Sequence, residues 1–343
     1  MRRRTLQVLG TLAASGLALY LALRGVDFAQ VREALRRIDR GWLLVSALLV
    51  VISLLIRAQR WRILLGRRLS LGDAFGVINI GYLISGVLPL RAGDPARAVG
   101  AQLRGPISAL AALSTVVVVR VLDMLLIVVV LLVTLPFVPG LRTYLATGRE
   151  NGIPLNLMLL VVGGLSLGMV ALFVLLALYP QRVEALAARL LQMSGVRDRE
   201  RWLKPLRRLL EGFQALSSPR EGLAVMLWSL GLWAVTLSNF RAALEACRAF
   251  LPQGTWLAGA VSMWASAFGM VFPSTGGLGS FHFAVREALF WGFDISREAG
   301  FTYAVVVHAT SYLTGILLGA AFLLLWGLSL ERVLRRGAEI NEP

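Results

Sequence analysis

Residue types that build disulfides and metal sites are scarce in this chain. It has one cysteine, Cys247, and two histidines, His282 and His308, among 343 residues. A single cysteine excludes an intramolecular disulfide framework and a cysteine-based metal site. Two histidines without a nearby carboxylate or cysteine cluster are too few to complete the coordination of a metal ion. We therefore expect neither a metal nor a cofactor.

Catalytic motifs are also missing. The sequence contains no nucleophile elbow, no phosphate-binding loop, no zinc-protease helix motif and no carboxylate pair in a polar soluble domain. An enzyme embedded in a membrane would have to use Asp94, Asp123 or a histidine as a general acid or base, with a positioned partner. We expect that the protein is not an enzyme, and we keep membrane-embedded catalysis as an alternative.

Charged residues are few, at 16%, whereas 57% of the residues are hydrophobic and the mean hydropathy is +0.72. This apolar share is well above that of a soluble globular domain. The composition predicts an all-α polytopic membrane protein, with residues 1–343 as one integral membrane domain. Apolar runs long enough to cross about 30 Å of hydrocarbon as helices lie at about 5–23, 42–57, 108–135, 155–179, 221–240 and 302–328.

The chain carries 35 basic and 19 acidic side chains, a net charge of +16, and Lys204 is its only lysine. Such an excess is also found in nucleic-acid-binding proteins, but basic residues concentrate in the cytoplasmic loops of membrane proteins and bind anionic headgroups. We therefore expect no nucleic-acid partner. We expect a prokaryotic cytoplasmic (inner) membrane location.

The basic stretches predict an orientation. Residues 57–72 and 180–221 are rich in arginine and belong in the cytoplasm, as do both termini. Arg2, Arg3 and Arg4 precede the first apolar run, which is long for a signal peptide, so we expect no cleavage. The stretches 24–41 and 180–221 have the spacing of amphipathic helices at the membrane interface. The alternative for both is a solvated linker.

Two apolar segments are interrupted by proline and glycine. If the basic stretches share one side, segment 73–107 must begin and end inside and segment 256–301 must begin and end outside. The sequence therefore predicts six full transmembrane helices plus two re-entrant or broken helical hairpins from opposite faces. Irregular backbone at membrane depth must face protein or a water-filled cavity, and paired breaks often mark a transporter's substrate site. The candidate hinge residues are Pro89, Gly93, Pro273, Gly276, Gly277 and Gly279.

Charged residues near the breaks are candidates for substrate binding. Arg120 and Asp123 lie within the run 108–135, three residues apart and thus on one helical face. A charge there costs about 2.5–3.5 kcal/mol on insertion scales, so it usually has a function. The alternative is a structural ion pair that locks this helix to its neighbour, since Arg120 and Asp123 could also satisfy each other.

The first break adds Arg91, Asp94 and Arg97. An arginine guanidinium suits phosphate oxygens, and Asp94 can orient a guanidinium or accept from an amine. If a helix restarts after Pro95, its N-terminal amides add attraction for an anion. Alternatively, these arginines only follow the positive-inside rule.

Both histidines are associated with membrane-depth sequence: His282 follows the second break and His308 lies in the last apolar run. Histidine binds protons near neutral pH and can donate to a lipid phosphate. The alternative is a structural hydrogen-bond donor. We include both residues among the candidate substrate-binding side chains.

At these residues the chain resembles the flippase-like membrane family named for the transmembrane region of lysylphosphatidylglycerol synthases. The stretch 89–97 is similar to the family's Pro-x-Arg-x-Gly-Glu-x-x-Arg, and it is followed in order by the segments 120–123 and 273–279. The resemblance covers about residues 5–330. Asp94 replaces the usual Glu, His282 stands where many members have Glu, and His308 where many have Arg. The paired histidines resemble one branch of the family, which implies a coupled role.

The resemblance implies movement or binding of a lipid. The soluble aminoacyl-transfer domain of full-length synthases is missing here, so we do not expect lysine transfer. The expected partner is an anionic phospholipid or a polyprenyl-phosphate-linked lipid, whose headgroup the protein helps across the bilayer. One alternative is a non-transporting subunit that presents lipid to a separate glycosyl- or aminoacyl-transferase, and another is a lipid-scaffolding structural protein.

Overall fold

The computed structural model describes residues 2–87, 92–141, 179–194, 218–252, 254–271 and 274–327, with scattered positions from 164 to 175 and from 200 to 210. Within residues 2–12 only the backbone is described. All regular structure in these ranges is helical, which confirms the all-α class. The α-helices are α1 Arg2–Leu23, α2 Phe28–Arg36, α3 Arg40–Leu64, α4 Leu71–Val87, α5 Gly93–Arg104, α6 Ala109–Thr134, α7 Pro180–Met193, α8 Pro219–Ala246, α9 Trp256–Gly269, α10 Ser280–Phe293 and α11 Arg297–Leu325.

Four of the described helices, α3, α6, α8 and α11, are long and apolar enough to cross a membrane. They fall on four of the six predicted spans, and α1 falls on the first. The predicted span 155–179 lies outside the described residues, apart from scattered positions. A multi-pass membrane protein is thus supported, while the count of six spans plus two re-entrant hairpins stays a prediction.

Three of the four membrane-length helices, α3, α6 and α11, begin where a polar side chain caps the first turn. Asp39 accepts a hydrogen bond from the Gly41 amide at 2.8 Å before α3, and Ser108 accepts from the Ala111 amide at 3.2 Å before α6. Ser296 caps α11 in the same way. Each cap satisfies an amide that the first helical turn leaves without a partner.

The first interrupted segment is a helical hairpin of α4 and α5, which pack against each other. Arg104 donates to Asp73 at 2.7 Å and joins the two ends of the hairpin. A Cβ atom on Gly93 would overlap the Gly81 carbonyl oxygen of α4, so a glycine permits this close approach. The helix restarts at Gly93 rather than after Pro95, because proline is tolerated in a first helical turn. Pro89 and Arg91 lie outside the described residues.

The second interrupted segment consists of α9 and α10, joined by a turn that contains the 3₁₀ helix Thr275–Gly277. Gly276, Gly277 and Gly279 have φ values of 57°, 78° and 82°. These lie in the left-handed region, which glycine enters without steric cost. The turn therefore depends on its glycines. Pro273 lies outside the described residues.

Helix α1 covers this second turn. The Thr275 amide donates to the Ser15 hydroxyl at 2.9 Å, and a Cβ atom on Gly279 would overlap the α1 backbone at Ala18 and Leu19. Arg286 of α10, buried, donates to the Ala22 carbonyl at the end of α1 at 2.7 Å. The irregular backbone thus faces protein, as membrane depth requires.

The hydrophobic core has two main clusters, one around each hairpin. The α4–α5 hairpin packs with α3 and the first half of α6, and the α9–α10 hairpin packs with α8, α11 and the second half of α6. Contacts of α3 with α8 and of α4 with α11 bring the two halves together. The two hairpins therefore lie on either side of a shared interior.

Both predicted amphipathic stretches contain helices. α2 lies within residues 24–41, and its Val31 is buried in a small cluster with Ala22, Val26 and Phe301. α7 lies at the start of residues 180–221, and none of its side chains is buried. Whether either helix lies at a membrane interface stays a prediction.

Candidate functional site

A cavity of about 300 Å³ lies between the two halves of the protein. Both hairpins line it, together with α3, α6, α8 and α11. Its charged lining residues within the described chain are Arg57, Asp94, Arg97 and Arg120. Its polar and aromatic lining residues are Ser53, Tyr82, Ser85, Thr236, Asn239, Phe240, Ser274, Phe281, His308, Ser311 and Tyr312.

Asp94 connects the first hairpin to α6. Arg120 Nη2 donates to both carboxylate oxygens of Asp94, at 3.0 and 3.1 Å, and Arg97 Nη1 lies 3.8 Å from the same group. Arg97 also stacks over the Tyr82 ring, 4.7 Å from its centroid. About half of the Arg120 side chain, 49%, remains accessible. The carboxylate therefore holds two guanidinium groups that face the cavity.

Asp123 makes a separate network with α3. Arg60 donates to its two oxygens at 2.7 and 3.1 Å, and Arg57 Nη1 lies 3.6 Å away. Arg60 is only 1% exposed and also donates to the Ser229 hydroxyl of α8 at 3.1 Å. Arg120 and Asp123 do not satisfy each other. Each pairs with a different helix, so the alternative of a structural ion pair that locks α6 to a neighbouring helix stays open.

Sequence reasoning missed Arg57 and Arg60. We assigned them to a basic cytoplasmic loop, because the apolar run 42–57 ends there. The helix continues to Leu64, so both arginines lie within a membrane-length helix, and Arg60 is buried. The signal was available: the two side chains are three residues apart, on the same helical face.

The two histidines are in contact and form a chain with the second turn. His282 Nε2 lies 3.3 Å from His308 Nδ1, and His308 Nε2 lies 3.1 Å from the Gly276 carbonyl oxygen. The Gly279 amide donates to His282 Nδ1 at 3.4 Å. A consistent assignment has each imidazole neutral, with its Nε2–H donating along the chain and its Nδ1 accepting. Each ring nitrogen then has a partner.

Tyr312 of α11 approaches both breaks. Its hydroxyl donates to the Gly86 carbonyl near the end of α4 at 3.0 Å. A Cβ atom on Gly276 would overlap the same hydroxyl. One helix therefore contacts the irregular segments of both hairpins, through the cavity wall.

Among the described residues, no group of three histidine, cysteine or acidic side chains has the arrangement of a metal site. The charged lining instead presents three guanidinium groups beside one carboxylate. Such an arrangement suits an anion, because guanidinium groups form paired hydrogen bonds with phosphate and carboxylate oxygens.

The family described as the lysylphosphatidylglycerol synthase TM region matches residues 7–319. The chain belongs to this family. No curated protein and no solved structure matches it. Membership indicates a membrane domain related to lipid modification or flipping, and it confirms the resemblance of the sequence motifs.

The residues that carry the family resemblance converge on the cavity. Asp94, Arg97, Arg120 and His308 line it. Asp123 and His282 do not line the cavity but contact residues that do: Asp123 contacts Arg57, and His282 contacts His308. The shorter Asp94, which replaces the family's usual glutamate, still reaches Arg120.

Proposed function

We propose that this protein binds the phosphate of an anionic lipid in the cavity between its two hairpins and helps the lipid headgroup across the bilayer. The observation that carries the proposal is the charge of the cavity lining. Arg57, Arg97 and Arg120 line the cavity with one carboxylate, Asp94, among the described residues. With Arg60 and Asp123 behind the lining included, four guanidinium groups share two carboxylates. Uncompensated positive charge within a membrane protein is costly and is therefore a mark of function.

The size of the cavity favours a headgroup over a whole lipid. A volume of about 300 Å³ is at the lower end of ligand-binding pockets. The acyl chains would stay in the bilayer while the charged headgroup occupies the protein interior. This division suits a protein that carries a polar group past hydrocarbon.

The hairpins supply the elements that would move. We infer that the breaks at Pro89 and Gly93 and at Pro273 to Gly279 act as hinges, because interrupted helices around a substrate site are the moving parts of many transporters. The hydrogen bond of Tyr312 to Gly86 and that of His308 to Gly276 hold both breaks against α11. Release of these two contacts would free each hairpin.

The histidine chain would couple this movement to a proton. A proton on Nδ1 of His308 would place an N–H opposite the N–H of His282 and break the hydrogen bond between the two rings, while His308 Nε2–H would still donate to Gly276. Protonation would thus separate α10 from α11 at His282. We propose that transport responds to pH through this pair.

We further propose that the protein has no enzymatic activity of its own and resides in a prokaryotic cytoplasmic membrane with both termini inside. A transferase that uses the bound lipid is a partner compatible with the family. Arg62, Arg67 and Arg68, at or just past the end of α3, and the basic stretch 180–221 support the orientation.

Native mass spectrometry of the protein, gently extracted from its own membrane, tests the binding step. We expect the wild type and Arg36→Ala to retain an anionic lipid that Arg57→Ala and Arg120→Ala lose. Arg36 is the matched control, since it is a 72% exposed arginine on α2 that does not line the cavity. Retention of the same lipid by all four proteins would overturn the proposal.

Liposomes that contain the retained lipid, labelled in one leaflet, then test movement. We expect the wild type to transfer label between leaflets faster than protein-free liposomes and faster than the two cavity variants. Specific retention without transfer would favour the alternative, a subunit that presents lipid to a separate transferase.

A further inference from the structure

The carboxylates at the cavity are already neutralised. Both oxygens of Asp94 accept from Arg120, with Arg97 at 3.8 Å, and both oxygens of Asp123 accept from Arg60. A lysyl or ethanolamine headgroup carries an ammonium ion, which needs a carboxylate or an acceptor-rich site away from other cations. Within the described lining, no carboxylate is left to an ammonium.

Three hydroxyl groups of the lining donate their protons to the protein backbone. Ser53 donates to the Val50 carbonyl at 2.8 Å, and Thr236 donates to the Leu232 carbonyl at 2.7 Å. Tyr312 donates to Gly86, as described above. A hydroxyl oxygen that has donated its proton still carries lone pairs. These oxygens can therefore accept hydrogen bonds from a ligand in the cavity.

The cavity thus offers two kinds of partner. Its arginines donate to an anion, and its hydroxyl oxygens accept from O–H groups. An uncharged O–H donor fits beside the three guanidinium groups without the repulsion that an ammonium meets there. The chemical group that satisfies both sets is a phosphate bonded to a polyol, such as a glycerol or a sugar.

We propose that the cavity selects an anionic phosphate headgroup that bears hydroxyl groups and rejects one that bears an amine. This inference rests on the proposed function and narrows its substrate class. It separates the substrate of this protein from the aminoacylated lipid in the family's name.

Lipids with identical acyl chains and different headgroups test the selection. The wild type in nanodiscs is titrated with phosphatidylglycerol, phosphatidylmethanol, phosphatidylethanolamine and lysyl-phosphatidylglycerol, and bound lipid is counted by native mass spectrometry. We expect phosphatidylglycerol to bind best, phosphatidylmethanol about two- to tenfold more weakly, and the two amine lipids more weakly still. Equal retention of either amine lipid and phosphatidylglycerol would overturn the proposal.

Two variants test the hydroxyl groups directly. Thr236→Val and Ser53→Ala should weaken phosphatidylglycerol binding by about two- to tenfold and leave phosphatidylmethanol binding unchanged, because only the polyol uses these acceptors. Ser238→Ala is the matched control: Ser238 makes the same kind of bond to the Ala234 carbonyl on α8 but does not line the cavity. Equal loss of both lipids in Thr236→Val and Ser53→Ala would contradict the selection.

Competition with soluble compounds distinguishes a recognised headgroup from a recognised lipid. We expect glycerol 3-phosphate or glucose 1-phosphate to displace phosphatidylglycerol at concentrations where methyl phosphate does not. The compound that displaces the lipid at the lower concentration shows whether the cavity prefers a glycerol or a sugar. Displacement by methyl phosphate at the same concentration would refute polyol selection. If instead no lipid depends on Arg120, the proposed function itself fails, and this outcome is separate from a failure of selectivity.

Discussion

The Arg60–Asp123 pair makes the sharpest prediction about stability. Arg60 is 1% exposed, and Asp123 accepts two of its hydrogen bonds, at 2.7 and 3.1 Å. Asp123→Ala would leave a buried guanidinium with Ser229 as its remaining hydrogen-bond partner. Removal of one member of a buried ion pair typically costs about 3–5 kcal/mol, because the other charge is left uncompensated.

Arg120→Ala provides the contrast. Arg120 is about half exposed, and Asp94 keeps Arg97 at 3.8 Å as a partner. The loss of such an exposed pair costs about 0–1 kcal/mol. Thermal unfolding of the detergent-solubilised proteins should therefore show a large decrease in Tm for Asp123→Ala and a small one for Arg120→Ala.

A double variant tests whether the loss of stability comes from the unpaired charge. Arg60→Met with Asp123→Leu replaces both charges by apolar groups, and we expect its Tm to return close to that of the wild type, because an apolar replacement of a buried pair is often neutral. Equal Tm values for Asp123→Ala and Arg120→Ala would refute the reasoning. So would a double variant with a lower Tm than Arg60→Met or Asp123→Leu alone.

Three further predictions concern the second turn and α1. Gly276→Ala should lower transport in liposomes more than Gly231→Ala. A Cβ atom at Gly276 would overlap Tyr312, and the φ of Gly276 is 57°, whereas a Cβ atom at Gly231 would meet open space. Equal transport by the two variants would contradict the hinge role. His308→Gln should flatten the pH dependence of transport between pH 5 and 8, and an unchanged pH profile would remove the histidines from coupling. Arg286→Met should increase hydrogen exchange at the end of α1, since the guanidinium no longer binds carbonyls there, and unchanged exchange would contradict that anchor.

The fold class and the two interruptions could be predicted from the sequence because both depend on local signals. Apolar length predicted the four membrane-length helices, and proline and glycine predicted the breaks between α4 and α5 and between α9 and α10. The helix boundary at Leu64 could not be read in the same way. An apolar run ends at the first charge, whereas a helix continues as long as its charges find partners in the interior.

The pairing of the charged residues depends on tertiary contacts. Spacing within α6 correctly placed Arg120 and Asp123 on one face, and a pair between them was part of the alternative to substrate binding. Their true partners, Asp94 and Arg60, are separated from them by 26 and 63 residues. Only the packing of α5 and α3 against α6 decides these pairs, and a single sequence does not contain that information.

The two networks differ in a way that separates structure from function. If the intramembrane charges served stability alone, each cation would be matched by a carboxylate, as Arg60 is by Asp123. Instead four arginines, Arg57, Arg60, Arg97 and Arg120, share two carboxylates, Asp94 and Asp123, among the described residues at the cavity, and Arg120 stays half exposed. An unmatched cation in a membrane protein raises the free energy of the empty state. The binding of an anion would relieve this cost, so the excess charge itself favours an anionic ligand.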